Sequence, residues 1–264
     1  MPPTTKTKRY RAIAEYYDAE NARHRMLEED VPFFLGQLPK ARQSVLELAT
    51  GTGRAAIPIA QAGHRVVGVD YAADMLAIAR RKRDAVGLTE EQFATVQADW
   101  LDLDLGRQFD WVCVFFNTFL AFTTLPEQDR ALAVVLRHLK PRGRLWLDVF
   151  NPDPGMLARD VAVGLDPCAF HVPRFDRTVF MTTDIRRQYD RPQVQQVTFR
   201  YSWFDRHGHP HRRHKSFDIT FMFPRELRLL LERNGLRVEH LWGDYDGSDV
   251  TPASPRLVAR CCRA

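Results

Sequence analysis

The sequence lacks any apolar run that approaches the roughly twenty residues needed to cross a bilayer. Its first nine residues, MPPTTKTKR, lack the apolar core of a signal peptide and form a short basic tail. We therefore expect no membrane partner and a cytoplasmic location.

Cysteine is also scarce, because the chain has only Cys113, Cys168, Cys261 and Cys262. Cys113 falls in an apolar stretch that predicts a core strand, and the adjacent Cys261 and Cys262 point to opposite faces of a strand. Their spacing matches no structural zinc site, so we expect no metal. Four unpaired thiols favour a reduced, cytoplasmic protein.

Strong charge of one sign is absent as well. The formal net charge is +5 and the basic residues are scattered, which favours a protein that does not bind nucleic acid. The chain shows no internal repeat and no low-complexity segment. Its 264 residues suffice for one large α/β domain or for a core with an insertion.

The most informative segment present is Val45–Arg54, VLELATGTGR. An apolar run predicts a buried strand that ends in a loop with Gly51 and Gly53, and residues 55–60, AAIPIA, then begin a helix. Glycines let a backbone turn tightly and approach a ligand closely. A helix start adds unpaired N–H groups. The segment therefore predicts a cradle for a nucleotide cofactor.

Two cofactors fit this pattern. Gly51, Gly53 and Ala56 satisfy the loose dinucleotide fingerprint. Glu47, however, places a carboxylate just before the loop, where it would repel a pyrophosphate but accept hydrogen bonds from the ammonium group of S-adenosylmethionine. Asp70 ends the next predicted strand and can hold ribose hydroxyls in either case, so it does not discriminate.

The third predicted strand ends in Ala98, Asp99 and Trp100, a trio that suits an adenine. The carboxylate can accept from the exocyclic amine and the indole can pack on the base. This strand end favours S-adenosylmethionine as the cofactor.

Strands and helices alternate from Val45 to Val149, which predicts a parallel sheet covered on both faces. Residues 7–38 have helical periodicity that includes Ile13. The core segments are predicted as strands at 65–70, 93–97, 109–117 and 144–149, helices at 55–62, 73–85 and 127–139, and a helix end at 139–143.

After Phe150 the pattern changes to alternation typical of antiparallel strands, with natural turns at Arg191-Pro192 and at 207–210. Helix and strand patterns then return, and Gly235 is a suitable helix stop. The predicted segments are strands at 179–183, 194–201 and 217–221, a helix at 224–234, and strands at 235–242 and 256–260.

Residues 44–150 resemble the core of the class I S-adenosylmethionine-dependent methyltransferases. The order and spacing of four segments support the resemblance: Glu47–Arg54, Gly68–Tyr71, Ala98–Trp100 and Leu139–Gly143. Two positions depart from the family pattern. Ala49-Thr50 replaces Gly-Cys or Gly-Ser, and Arg142 replaces the first glycine of a Pro-Gly-Gly turn.

The resemblance implies an α/β fold with a doubly wound, seven-stranded, mostly parallel sheet, the Rossmann-like methyltransferase fold, and an antiparallel β insertion after the fifth strand. It implies a helical cap at 1–40, an S-adenosylmethionine-binding core at 41–150, a lid over the substrate pocket at 151–222 and a C-terminal completion of the sheet at 223–264. We expect the N-terminal helix to close the side of the pocket opposite the lid.

The resemblance also implies which residues contact S-adenosylmethionine. They are Glu47, Ala49, Gly51, Gly53, Arg54, Asp70, Tyr71, Met75, Asp99, Trp100 and Phe115.

Three residues are candidates for catalysis. Tyr17 can hydrogen-bond an acceptor amine or the cofactor carboxylate, or it is a half-buried aromatic on an amphipathic helix. His24 can act as a base near neutral pH, or it is a solvated helix residue. Asn117, at the end of the fourth strand, can position the acceptor or cap the loop backbone.

The residues after Asn117 lack the double proline of methyltransferases that act on planar nucleobase or amide nitrogens. This favours a small-molecule acceptor, with an amine nitrogen preferred over a hydroxyl oxygen. Tyr245 can reach the substrate or pack. The alternatives are a dinucleotide-dependent oxidoreductase and a catalytically inactive methyltransferase-like binding protein. Either a monomer or a homodimer fits the sequence.

Residues 207–214, HGHPHRRH, have four histidines at a hairpin tip that could converge on a metal. No acid or cysteine accompanies them, so we expect a solvated basic turn. If the ribbon folds back over the pocket, Arg212 or Arg213 can face an acidic substrate.

Overall fold

The computed structural model describes residues 14–22, 24 and 26–264. The basic tail and Ile13 lie outside the described residues. The helices are α1 Ala14–Asn21, α2 Met26–Gln37, α3 Ala56–Gln61, α4 Ala73–Ala85, α5 Leu125–His138, α6 Pro154–Leu157 and α7 Pro224–Arg233. The strands are β1 Ser44–Leu48, β2 Arg65–Asp70, β3 Phe93–Gln97, β4 Phe109–Val114, β5 Leu139–Phe150, β6 Val161–Val172, β7 Arg177–Arg187, β8 Val194–Phe204, β9 Pro210–Thr220, β10 Leu236–Trp242 and β11 Arg256–Arg263.

Seven strands form one sheet in the order β10-β11-β5-β4-β1-β2-β3. Strands β1 to β5 are parallel to one another, and β11 is antiparallel to both β5 and β10. Helices cover both faces, so the central strands are nearly continuous apolar runs, as in β1, where four of five residues are buried. The predicted doubly wound fold is confirmed.

Helix α5 begins where the sequence indicates. Thr124 and Glu127 form a capping box and Pro126 lies in the first turn. The predicted helix end at 139–143 is wrong, because β5 already starts at Leu139, which pairs with Phe109 of β4. A Cβ on Gly143 would lie 2.9 Å from the carbonyl oxygen of Phe109, so only glycine permits this close approach.

The insertion is a four-stranded antiparallel sheet in the order β6-β7-β8-β9, which we call the lid sheet. The sequence indicated three of its strands and missed β6. Gly164, Asp166 and Pro167 interrupt alternation there, and the pairing of β6 with β7 shifts register twice. The predicted turns before β8 and before β9 are confirmed.

Helix α1 packs against the inner face of the lid sheet rather than closing the opposite side. Tyr16 is 4% exposed and clusters with Phe170, Tyr201 and Trp203. Tyr16 thereby completes the apolar core of the lid sheet, a contact that the sequence did not indicate. Helix α2 instead covers the main sheet, where Phe34 is fully buried against Trp146.

No helix in the described part of the chain has the length and apolar character of a membrane span.

Candidate cofactor and acceptor site

The loop after β1 is held by the tip of β2. Ala49, Gly51 and Gly53 all have positive φ angles, of 59°, 56° and 76°. The amide of Gly51 donates to Asp70 Oδ2 at 2.9 Å. This bond joins two parallel strand ends beside the point where the strand order reverses, the usual ligand crevice of open α/β sheets.

The two glycines of the loop have different roles. A Cβ on Gly51 would point into open space, so Gly51 leaves room for a ligand beside the backbone. A Cβ on Gly53 would lie 3.1 Å from Phe93 and 3.3 Å from Ile57. Gly53 therefore permits close packing of the loop on the sheet.

Asp70 presents a buried carboxylate at the same edge. It is 8% exposed and accepts hydrogen bonds from the amides of Gly51 and Ala72, the latter at 2.8 Å. Burial raises its pKa above the ordinary value, although the backbone hydrogen bonds oppose that shift. Two carboxylate oxygens offer about four acceptor positions, so sites remain for ribose hydroxyls.

Glu47 lies beneath the loop and is 3% exposed. Its Oε2 accepts from the Thr50 hydroxyl at 2.6 Å. Burial raises the pKa of Glu47 to about 7, and the Thr50 hydrogen bond opposes the shift. The group therefore changes charge near neutral pH.

Arg54 forms a bidentate pair with Asp30 of α2, with Nη1–Oδ1 and Nη2–Oδ2 distances of 2.9 and 2.6 Å. Asp30 is fully buried, and burial raises its pKa although Arg54 opposes the shift. Burial alone would lower the pKa of Arg54, but the bond to Asp30 outweighs it and the pKa is raised. This position favours a role for Arg54 in fixing α2 to the loop.

Of the residues predicted to contact the adenosine of the cofactor, one packs at the start of α4 and two follow β3. Met75 is buried and packs with Tyr17 and Tyr71 at the start of α4. Asp99 is exposed and accepts from the amide of Leu101, which caps a short 3₁₀ helix. Trp100 is 6% exposed and donates its indole N–H to the Ala131 carbonyl at 3.3 Å. Its burial favours packing over the predicted contact with adenine.

Helix α1 bridges the loop and the lid sheet. Asp18 accepts from the Thr52 hydroxyl at 2.6 Å and pairs with Lys82 at 3.1 Å. Two residues further, Glu20 is 7% exposed and accepts from the Tyr201 hydroxyl at 3.0 Å. The helix thus connects the loop after β1 to the lid sheet through Asp18 and Glu20.

β4 ends at Val114, before the predicted end at Asn117. The turn that follows contains two consecutive left-handed residues. The φ angles of Phe116 and Asn117 are 53° and 62°. Such conformations cost about 1–3 kcal/mol each and cluster at functional sites. His24 is half-buried and its ring centroid lies 6.3 Å from that of Phe116. Phe115 is instead buried against Phe34.

A buried ion pair supports this turn. Arg256 and Asp148 are 2% and 0% exposed, and Arg256 Nη2 pairs with Asp148 Oδ1. The amide of Phe116 donates to Asp148 Oδ2 at 3.1 Å, and Arg256 Nη1 donates to Asn117 Oδ1 at 3.1 Å. Asn117 Oδ1 also accepts from the amide of Phe150 at 2.7 Å. Asn117 therefore ties the turn to β5 and β11, and its side chain does not cap the short 3₁₀ helix that follows.

Tyr245 lies beside this pair, with its ring centroid 5.7 Å from the Arg256 guanidinium carbon. Its side chain is buried, with 5% of its surface exposed. Burial and then the charge of Asp148 raise its pKa. The packing interpretation of Tyr245 fits this position.

The sequence analysis missed Asp30, Asp148, Arg256 and Glu20. A usable signal existed for two of them, because Asp148 interrupts the apolar run of one predicted core strand and Arg256 begins another. Charges in such positions are paired in folded proteins. Glu20 is on a short helix with no distinguishing pattern, and its burial depends on a strand about 180 residues away.

The histidine-rich turn does have an acid, contrary to expectation. Asp205 Oδ2 lies 3.3 Å from His209 Nδ1 and 3.2 Å from His211 Nε2. The backbone hydrogen bond from His209 and the bond from His211 lower the pKa of Asp205 to about 2. In the described part of the chain, no group of three or more His, Cys, Asp or Glu residues can hold a metal.

Comparison with known proteins is consistent with this arrangement. Residues 45–143 match the family described as methyltransferase domain. A demethylmenaquinone methyltransferase of Thermus thermophilus is 41% identical over 119 residues, which cover 44% of this chain and 51% of that protein. The dTDP-3-amino-3,6-dideoxy-alpha-D-glucopyranose N,N-dimethyltransferase of Streptomyces fradiae is 33% identical over 156 residues, 55% of this chain and 58% of that protein.

Among solved structures, the CcbJ methyltransferase of Streptomyces caelestis superimposes with a TM-score of 0.79 over 99% of this chain and 98% of that chain, at 22% identity. This likeness shows the fold. The chain spans about half the length of the curated relatives it matches, 51% and 44% for the first two.

Proposed function

Because residues 45–143 form a class I S-adenosylmethionine-dependent methyltransferase domain, we propose that this protein transfers a methyl group from S-adenosylmethionine to the nitrogen of a small-molecule amine. The observation that supports this most directly is the bond from Gly51 to Asp70 at the strand-order reversal, with open space beside Gly51. It leaves open space beside the loop backbone with the Asp70 carboxylate next to it.

The residues around the crevice fit S-adenosylmethionine chemically. Asp70 retains acceptor positions for the ribose, and Glu47 offers a buried carboxylate for the ammonium group. When bound, this cofactor supplies a methyl group on a positively charged sulfur. A crevice rimmed by carboxylates suits that cation better than a pyrophosphate.

The strand order argues against the dinucleotide-dependent oxidoreductase. The classic dinucleotide fold has six parallel strands in the order 3-2-1-4-5-6. Here an antiparallel strand, β11, is inserted between β5 and β10. The inactive binding protein remains the alternative that an assay must exclude.

An amine acceptor is favoured by two side chains, Glu20 on α1 and His24 beside the turn that follows β4. Glu20 is buried on α1 and can attract an ammonium group, and His24 lies beside Phe116, where a base could take its proton. The Streptomyces fradiae relative is an N,N-dimethyltransferase for a dTDP-linked amino sugar, whereas the Thermus thermophilus relative acts on demethylmenaquinone. We propose that residues 151–222 serve as the lid over this acceptor and that residues 1–40 cap it.

The first test is calorimetry with S-adenosylhomocysteine and, in parallel, NADH. We expect micromolar binding of the former and none of the latter. Asp70→Ala should weaken binding at least tenfold, whereas Glu90→Gln, which removes an exposed acid far from the loop, should not change it. Tight NADH binding, or full affinity in Asp70→Ala, would contradict the proposal.

The second test separates nitrogen from oxygen. Matched pairs of amines and alcohols, such as benzylamine with benzyl alcohol, are incubated with methyl-labelled S-adenosylmethionine, and products are identified by mass spectrometry. We expect label on the amine of at least one pair. Label on the alcohols alone would reverse the acceptor assignment while leaving the methyltransferase assignment intact.

A further inference from the structure

A separate cavity of about 240 Å³ lies between the end of β5 and the base of the lid sheet. Its walls come from both parts of the chain. The apolar residues that line it are Phe150, Pro152, Met156, Leu157, Ala162, Ile185 and Ile219.

Four polar or charged residues also line the cavity, Asn151, Asp153, Arg159 and Gln195, and of these Gln195 is the buried one. Gln195 pairs with Ile219 across β8 and β9, and side chains directly opposite each other on a sheet share a face. Because Ile219 lines the cavity, the Gln195 carboxamide points into it as well. Gln195 is 7% exposed, and the described residues supply no hydrogen bond to its side chain.

A buried amide without a partner costs free energy unless a ligand or water satisfies it. Mostly apolar walls with a few placed polar groups are the usual composition of a small-molecule site. Drug-sized sites occupy roughly 300–1,000 Å³, so this cavity suits part of a molecule, such as a fused ring with one hydrogen-bonding group.

The cavity lies next to the turn that follows β4, where we propose that the acceptor amine binds. Phe150 forms its wall and donates its amide to Asn117 Oδ1, at the left-handed turn that ends β4. A molecule whose reacting amine lies near Phe116 would reach the cavity by passing Phe150.

We propose that this cavity binds the distal part of the methyl acceptor, an apolar ring system that forms a hydrogen bond with Gln195. The inference that the ligand is the methyl acceptor rests on the proposed function. The binding site itself stands on the cavity and on Gln195.

The test uses indole and indene, which have the same shape and differ in the N–H group. Their binding to the protein saturated with S-adenosylhomocysteine is measured by ligand-observed NMR titration. We expect indole to bind about fivefold more tightly than indene, because the indole N–H can donate to Gln195 Oε1. In Gln195→Leu the two ligands should bind equally.

A second variant tests the location. Ile185→Trp places an indole in the cavity and should abolish binding of both ligands, whereas Phe180→Trp places the same side chain on the exposed outer face of the lid sheet and should leave both unchanged. Affinity for S-adenosylhomocysteine, measured by calorimetry, should be the same in all variants, which shows that they fold.

Indole binding that survives Ile185→Trp, or an equal affinity for indole and indene in the unaltered protein, would overturn the proposal. Failure of S-adenosylhomocysteine to bind while indole binds in a Gln195-dependent manner would instead overturn the proposed function and support the cavity as a ligand site.

Discussion

Thr52 donates its hydroxyl to Asp18 at 2.6 Å, so helix α1 is hydrogen-bonded to the loop that follows β1. Thr52 is fully buried, and Lys82 pairs with the second oxygen of the same carboxylate. Two residues away, Glu20 bonds to the lid sheet through Tyr201. One short helix therefore links the loop, α4 and the lid.

Thr52→Val should loosen α1. Valine has the same shape but removes a hydrogen bond to a charged group, worth about 1.5 kcal/mol or more. We expect the amides of α1 to exchange with deuterium about tenfold faster. Thr52→Ser keeps the hydroxyl and serves as the control. Equal exchange in both variants would show that the bond does not hold the helix.

Ala49→Gly should raise stability or leave it unchanged. Ala49 has a φ of 59°, which costs an alanine about 1 kcal/mol and a glycine nothing. The greater freedom of glycine in the unfolded chain offsets part of this gain. Ala77→Gly, inside α4, should lower stability by about 1 kcal/mol. Chemical denaturation compares the two, and an equal loss in both would contradict strain at Ala49.

Local pattern was enough to predict much of the fold. Strand β3 and helix α4 have the predicted bounds, because their periodicity is uninterrupted. Asp70 marks the end of β2 before α4, and Gly87 marks the turn between α4 and β3. Strand β6 was missed because Gly164 and Pro167 interrupt its alternation. A strand with bulges can be recognised only from the strand with which it pairs, and the local sequence does not show which strands pair.

The same difference between local pattern and long-range contacts applies to the site. Gly51 and Asp70 follow a motif with a fixed spacing, so the sequence places them together. Trp100 shows the limit, because an aromatic residue after a strand can turn either to a ligand or to the core. Its indole bonds to Ala131, 31 residues away, and no local pattern encodes that choice.

The buried pair of Arg256 and Asp148 gives a third prediction. Arg256→Met leaves an unpaired carboxylate in the core and should lower the free energy of unfolding by about 3–5 kcal/mol. Adding Asp148→Leu removes the orphaned charge, so the double variant should be more stable than Arg256→Met alone. Denaturant titration measures both. A double variant as unstable as the sum of the single changes would show that the pair contributes through something other than mutual neutralisation.

Glu47 gives the last prediction. Burial raises its pKa from an ordinary 4.5 to about 7. The folded protein therefore binds a proton more tightly than the unfolded chain does, and the stability linked to this proton is full below pH 4.5 and lost as pH rises through about 7. Glu47→Gln has no such proton. Its stability relative to the unaltered protein should rise from pH 5 to pH 8 by up to about 3 kcal/mol.

Cofactor affinity should depend on pH in the opposite sense. The ionised carboxylate attracts an ammonium group, so binding of S-adenosylhomocysteine should strengthen as pH rises from 6 to 8. Glu47→Gln should remove that dependence. Calorimetry across this range, with Glu90→Gln as a control that keeps the dependence, measures the effect. Because the two trends share one titrating group, a stability trend without an affinity trend would place the ammonium group away from Glu47. Absence of both trends would show that Glu47 stays ionised throughout this range.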